Sequence, residues 1–92
     1  MQTFRLDGDN KHLYFRNLER RSDREELAEI IQIVTDNGFE IKDKLMEPDC
    51  DLYTCQGKGL RFAICASIDG DGSSICVEDE QTLEYLEQMF ND

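Results

Sequence analysis

Apolar and polar residues alternate with period two in "TFRL" (3–6) and "KHLYF" (11–15), on either side of the turn-forming cluster "DGDN". This predicts a β-hairpin. The alternation puts Phe4, Leu6, Leu13 and Phe15 on one face and Arg5, His12, Tyr14 and Arg16 on the other. The period then changes. In "SDREELAEIIQIVTDNGF" the apolar residues Leu27, Ile30, Ile31 and Val34 follow the i, i+3, i+4, i+7 spacing of one buried helical stripe. Ser22 and Glu25 form a capping box at its start, and Gly38 supplies a left-handed terminus, so a helix is expected over 23–37.

Period two returns in "FEIKDKL" (39–45), where Phe39, Ile41 and Leu45 alternate with charge until the single proline, Pro48, stops the strand. "DLYTC", "LRFAICASI" and "SSICVE" are β-rich runs separated by "QGKG" and "DGDG", predicting a three-stranded meander over 51–78. Within it Phe62, Ile64 and Ile68 are expected to face the helices. Ala63, Cys65, Ser67, Ser74 and Cys76 would then form a smooth reverse face, a candidate protein-binding or dimer surface. The chain closes with "DEQTLEYLEQMFND", in which Asp79 is a candidate N-cap and Leu83, Leu86 and Phe90 form the buried stripe.

The order β-β-α-β-β-β-β-α implies an α+β two-layer sandwich, an antiparallel sheet with both helices on one face and no need for long parallel crossovers. With 92 residues, one domain over 1–92 is expected. "LDGDNKHLYF" (6–15) echoes "IDGDGSSICV" (68–77), and each copy precedes a helix. The echo reflects either a duplicated ββα unit or the repeated selection of aspartate and glycine by hairpins.

Charge narrows the function. The net charge is −11, and residues 62–92 carry eight acids with no lysine or arginine. Such a surface repels nucleic acid and anionic membranes. No apolar run spans a bilayer and the first residues lack the pattern of a signal peptide, so a cytoplasmic location is expected. The four cysteines, Cys50, Cys55, Cys65 and Cys76, lack the close pairs of a zinc knuckle and are expected as reduced, packed thiols.

The sharpest candidate chemistry is "SIDGDGSSICVEDE" (67–80), where Asp69, Asp71 and Glu80 match positions 1, 3 and 12 of an EF-hand loop. Ser74 replaces the required glycine, Val77 offers no side-chain oxygen, and β-formers precede the loop. A hairpin turn leading into a capped helix accounts for these residues better. His12 is the single histidine and has no nucleophile beside it in sequence. No residue is assigned a catalytic, cofactor-binding or metal-ligating role.

"RNLERRSDRE" gathers Arg16, Arg20, Arg21 and Arg24 among Glu19, Asp23, Glu25 and Glu26, which reads as a neutralised, solvated loop or as a contact for acidic partners. The expectation that results is a small acidic, non-enzymatic protein-binding domain, with Glu78, Asp79, Glu80, Glu84 and Glu87 as the contact for a basic partner protein. Self-association of the basic and acidic ends into a homodimer is the other partner considered. Two further classes stand beside it: a metal- or ligand-responsive module at 69–80, and a small enzyme with a carboxylate-based site. A pocket lined by convergent polar groups would favour the enzyme.

Overall fold

The computed structural model describes residues 1–16, 22–68 and 72–91. Its elements are β1 (Gln2–Phe4), β2 (His12–Arg16), α1 (Asp23–Asp36), β3 (Glu40–Met46), β4 (Cys50–Gly57), β5 (Leu60–Ser67), β6 (Ser73–Cys76) and α2 (Glu80–Asn91). The strands form one antiparallel sheet in the order β1-β2-β6-β5-β4-β3. The expected α+β order and layering are present.

Both helices begin and end where local chemistry directs. The Ser22 hydroxyl accepts the Glu25 N–H at 3.2 Å, and Asp79 accepts the Thr82 N–H at 2.7 Å, satisfying first-turn donors that lack helical partners. At the end of α1, Phe39 N–H donates to Val34 O at 3.2 Å and Gly38 N–H to Thr35 O at 3.1 Å. This is a Schellman termination, with Gly38 at φ +90°. It turns Phe39 into the core, edge-on to Phe62 at 5.1 Å. Ile30 and Val34 of α1 and Leu83, Leu86 and Phe90 of α2 pack with Leu13, Ile64 and Ile75 of the sheet as one apolar cluster.

Because every neighbouring pair is antiparallel, β2 and β3, four places apart, run in the same direction. The β2–α1–β3 connection is therefore a crossover spanning the sheet. The expectation that none was required is corrected: helix and meander had to be joined across strands that the linear order does not rank.

The internal echo has a structural counterpart. Leu13 is opposite Ile75, His12 opposite Cys76 and Tyr14 opposite Ser74. In the repeat alignment Leu13 is equivalent to Ile75, His12 to Ser74 and Tyr14 to Cys76. Exchanging the copies reproduces the same three pairs, so β2 and β6 lie about a local pseudo-twofold, each followed by a helix on the same face. The symmetry stops at the outer strands. Phe4 is opposite Tyr14 and stacks on it at 5.5 Å, with the Arg16 guanidinium over its ring at 4.9 Å. Phe4 thus lies on the face away from the helices, and Arg5 points toward α2, inverting the expected sides. Leu6, beyond the strand end, is 51% exposed.

A second inversion occurs on β3. The register shifts between Ile41 and Asp43, so Ile41 is opposite Cys55 on the helix side while Leu45 is opposite Leu52 on the other. A bulge adds one residue, and one residue reverses every later side chain in a period-two strand.

Candidate functional site on the uncovered face of the sheet

With both helices on one side, the opposite side of the sheet is left uncovered by them. Its residues follow from parity. Ala63, Cys65 and Ser67 of β5 and Ser74 and Cys76 of β6 occupy it as expected, each half-buried. Pairing adds Cys50, Leu52 and Thr54 of β4 and His12 and Tyr14 of β2. Ile68 is corrected: it lies past the end of β5 and is 59% exposed rather than packed under a helix.

The thiols divide. Cys55 alone belongs to the core, where its Sγ donates to Tyr53 O at 3.5 Å, and burial pushes it up to about 11. Cys50, Cys65 and Cys76 stand on the open face, so only one of the four is packed in the expected sense. Burial, and then the Cys50 thiol, pushes Cys65 up to about 12. Burial, then Cys50 and Asp9, raises Cys76. A thiol held protonated in this way is the opposite of an activated nucleophile. His12 shares the face with Cys76, but its Nδ1 is held 2.9 Å from Asp9 Oδ2 and its ring stacks toward Tyr14.

Where β3 bulges, the open face deepens into a broad trough of about 530 Å³, with Thr54, Ala63 and Cys76 among its lining. Lys42, Asp43, Arg61 and Glu78 also line it, and Lys42 is engaged by Glu40 at 2.8 Å. Charges of both signs meet there, and across the β2–β6 pair His12 is opposite its thiol, Cys76. Among the described residues, no group of three or more His, Cys, Asp or Glu could hold a metal ion. Asp69 and Asp71 of the EF-hand reading lie outside the described residues, as do Glu19, Arg20 and Arg21 of the basic cluster and Asp92. In the described part of that stretch, Ser67 ends β5, Ser73–Cys76 form β6 and Glu80 starts α2.

The acids expected to contact a partner have varied local roles. Asp79 caps α2. Glu87 takes a two-pronged bond from Arg5, Nε to Oε2 at 3.0 Å and Nη2 to Oε1 at 3.1 Å, and Glu80 lies 3.7 Å from the same guanidinium. Glu78 and Glu84 are exposed. Glu26, expected in a solvated loop, is only 3% exposed; its carboxylate accepts the Ser73 N–H at 2.9 Å and fixes the start of β6 to α1.

Sequence reasoning missed the most exposed apolar feature. Met46 (81%), Ile68 and Leu45 (49%) project at one end of the sheet, where Ile68 N–H donates to Asp49 O at 3.3 Å and so joins the β5 end to the β3–β4 turn. Glu47, Asp49 and Asp51 fringe them. The alternation of "FEIKDKLM" pointed Leu45 inward, and only the bulge reverses it.

The chain matches no family model, no curated protein and no solved structure. No described helix is long and apolar enough to cross a membrane.

Proposed function

We propose that this is a non-enzymatic protein-binding domain whose contact surface is the acid-fringed apolar end of the sheet formed by Leu45, Met46 and Ile68. The observation that carries the reading is the exposure of three large apolar side chains at one end of the sheet, Leu45 and Met46 on opposite faces of the edge strand β3 and Ile68 just past the end of β5. The exposed Glu47 and Asp49 are nearby in the chain, and Asp51 is opposite Met46, 3.8 Å from Lys44. An apolar patch with a charged rim is the usual form of a recognition surface, since burying it contributes affinity while the rim sets orientation and on-rate. The net charge of −11 selects a partner with lysine or arginine around an apolar residue. β3 is also an edge strand, so its outer backbone groups are accessible to an extended segment.

This moves the contact from α2 to the β3–β4 end, because Glu80 and Glu87 are already engaged by Arg5 and Asp79 by its own helix. The Cys76 thiol, raised by burial and then by Cys50 and Asp9, is held protonated, which supports a non-enzymatic reading. Amide-shift mapping tests it with two short peptides of equal charge, one all lysine and glycine, the other with leucines interspersed. The leucine-containing peptide should produce saturable shifts centred on Leu45, Met46 and Ile68, lost in Met46→Ser/Ile68→Ser. Shifts centred on Glu78 and Glu84 would return the contact to α2. Equal, non-saturating shifts with both peptides would refute a specific surface.

A further inference from the structure

Three thiols stand on adjacent strands of the open face, and their arrangement goes beyond the protein-binding reading. Cys50 of β4 is opposite Ser67, Cys65 of β5 is opposite Leu52 and Ser74, and Cys76 of β6 is opposite Ala63. Each cysteine is thus the diagonal neighbour of the next, two residues along from the directly facing position. Side chains so related share a face and remain within reach of one another. The Cys50 and Cys65 thiols are hydrogen-bonded, and the Ser74 hydroxyl is a second partner of Cys65.

Diagonal neighbours have Cβ atoms about 7 Å apart or somewhat less. A disulfide requires about 3.8 Å. The backbone would have to move for Cys50 and Cys65 to bond directly, whereas an ion between the sulfurs adds two bonds of about 2.3 Å each to the span. Zinc is a poor occupant, because it takes four ligands and no described group of three or more candidate ligands converges. A soft monovalent ion is satisfied by two thiolates in line, and soft sulfur ligands select Cu(I).

We propose that Cys50 and Cys65 form a two-thiolate site for Cu(I) on the uncovered face of the sheet. Binding forms two Cu–S bonds and releases one proton from each thiol to the buffer. Copper stays Cu(I) and nothing is oxidised. The site is half-buried, so the complex is shielded on one side by the sheet while an incoming ion has access from the other.

The test is an anaerobic titration of the reduced full chain with Cu(I), in competition with a chromophoric Cu(I) chelator, followed by X-ray absorption at the copper edge. One Cu(I) per chain with two sulfur neighbours is expected. Removing an outer-shell partner of a bound metal typically weakens binding about 10–100-fold, so Cys50→Ser and Cys65→Ser, which remove ligands, should each weaken it by about 100-fold or more. Cys55→Ser, in the core on the other face, and Cys76→Ser should leave the stoichiometry unchanged. Circular dichroism of each variant verifies the fold, and a double Cys50→Ala/Cys65→Ala variant repeats the test with a smaller side chain. Binding that survives in the double variant, dependence on Cys76 equal to that on Cys65, or a mass loss showing a Cys50–Cys65 disulfide in place of the copper complex would overturn the assignment.

Discussion

Gly57→Ala should destabilise the protein through a collision that the hairpin sequence conceals. Gly57 pairs with Leu60 at the end of β4, and the two-residue loop between them, Lys58 at φ 53° and Gly59 at φ 75°, has the left-handed conformations of a type I′ turn. A methyl group on Gly57 would lie 2.9 Å from Gly38 O, 2.9 Å from Phe39 Cδ1 and 3.0 Å from Phe39 Cα. Two of these are backbone atoms of the α1 termination, which cannot turn aside as a flexible side chain would. Phe39 is itself wedged against Phe62 at 5.1 Å and Tyr85 at 6.2 Å.

Overpacking of this kind costs about 1–3 kcal/mol, and the reduced freedom of the unfolded chain returns about 0.4–1 kcal/mol. A net loss of about 1–2 kcal/mol is expected. At roughly 4–8 °C per kcal/mol for a domain of this size, Tm should fall by about 5–15 °C. Urea unfolding gives the free energy, with an unchanged m-value showing that the unfolded state is not responsible. Gly59→Ala is the control. Nothing lies within 4 Å of its Cβ, so its cost comes from φ 75° alone and should leave the Phe39, Phe62 and Tyr85 ring resonances in place. Gly57→Ala should displace them. Stability within about 0.5 kcal/mol of the parent, or unmoved Phe39 resonances, would refute the steric account.

Asp79 carries a pH test. The Thr82 backbone N–H, and then the Thr82 side chain, holds its carboxyl below the ordinary value. A depressed folded-state value stabilises the protein above the unfolded value and loses that contribution as pH falls through the folded one. Asp79→Asn keeps an N-cap acceptor, so the Tm gap between parent and variant should be widest at neutral pH and close on acidification; a gap independent of pH would contradict this. Glu84→Lys, on exposed α2 surface, should leave Tm level or slightly higher by relieving like charge. Glu87→Lys should lower stability by about 1 kcal/mol, the upper end for a partly exposed pair, because it sets a second cation against Arg5. Equal effects of the two changes in thermal melts would show that the Arg5 contact contributes nothing.

The sequence by itself determined what lies within one turn of helix or one hairpin. Ser22, Gly38 and Asp79 bound the helices because caps bond to groups two to four residues away. Leu27, Ile30, Val34, Leu83, Leu86 and Phe90 marked the buried stripes, and the parity of β5 and β6 placed Ala63, Cys65, Ser74 and Cys76 on the reverse face. Tertiary structure decided what depends on which strand meets which. The bulge near Lys42 turned Leu45 outward, and the β1–β2 register turned Phe4 away from the helices. Pairing of β4 with β5 brought Cys50 to Cys65, fifteen positions apart in the chain. Glu26 came to hold Ser73, and Arg5 to hold Glu87, from opposite ends of the chain. Alternation states that two faces exist but not which is covered. That choice is made by the burial of the apolar stripes of both helices against one side of the sheet, an interaction between segments whose separation no local pattern encodes.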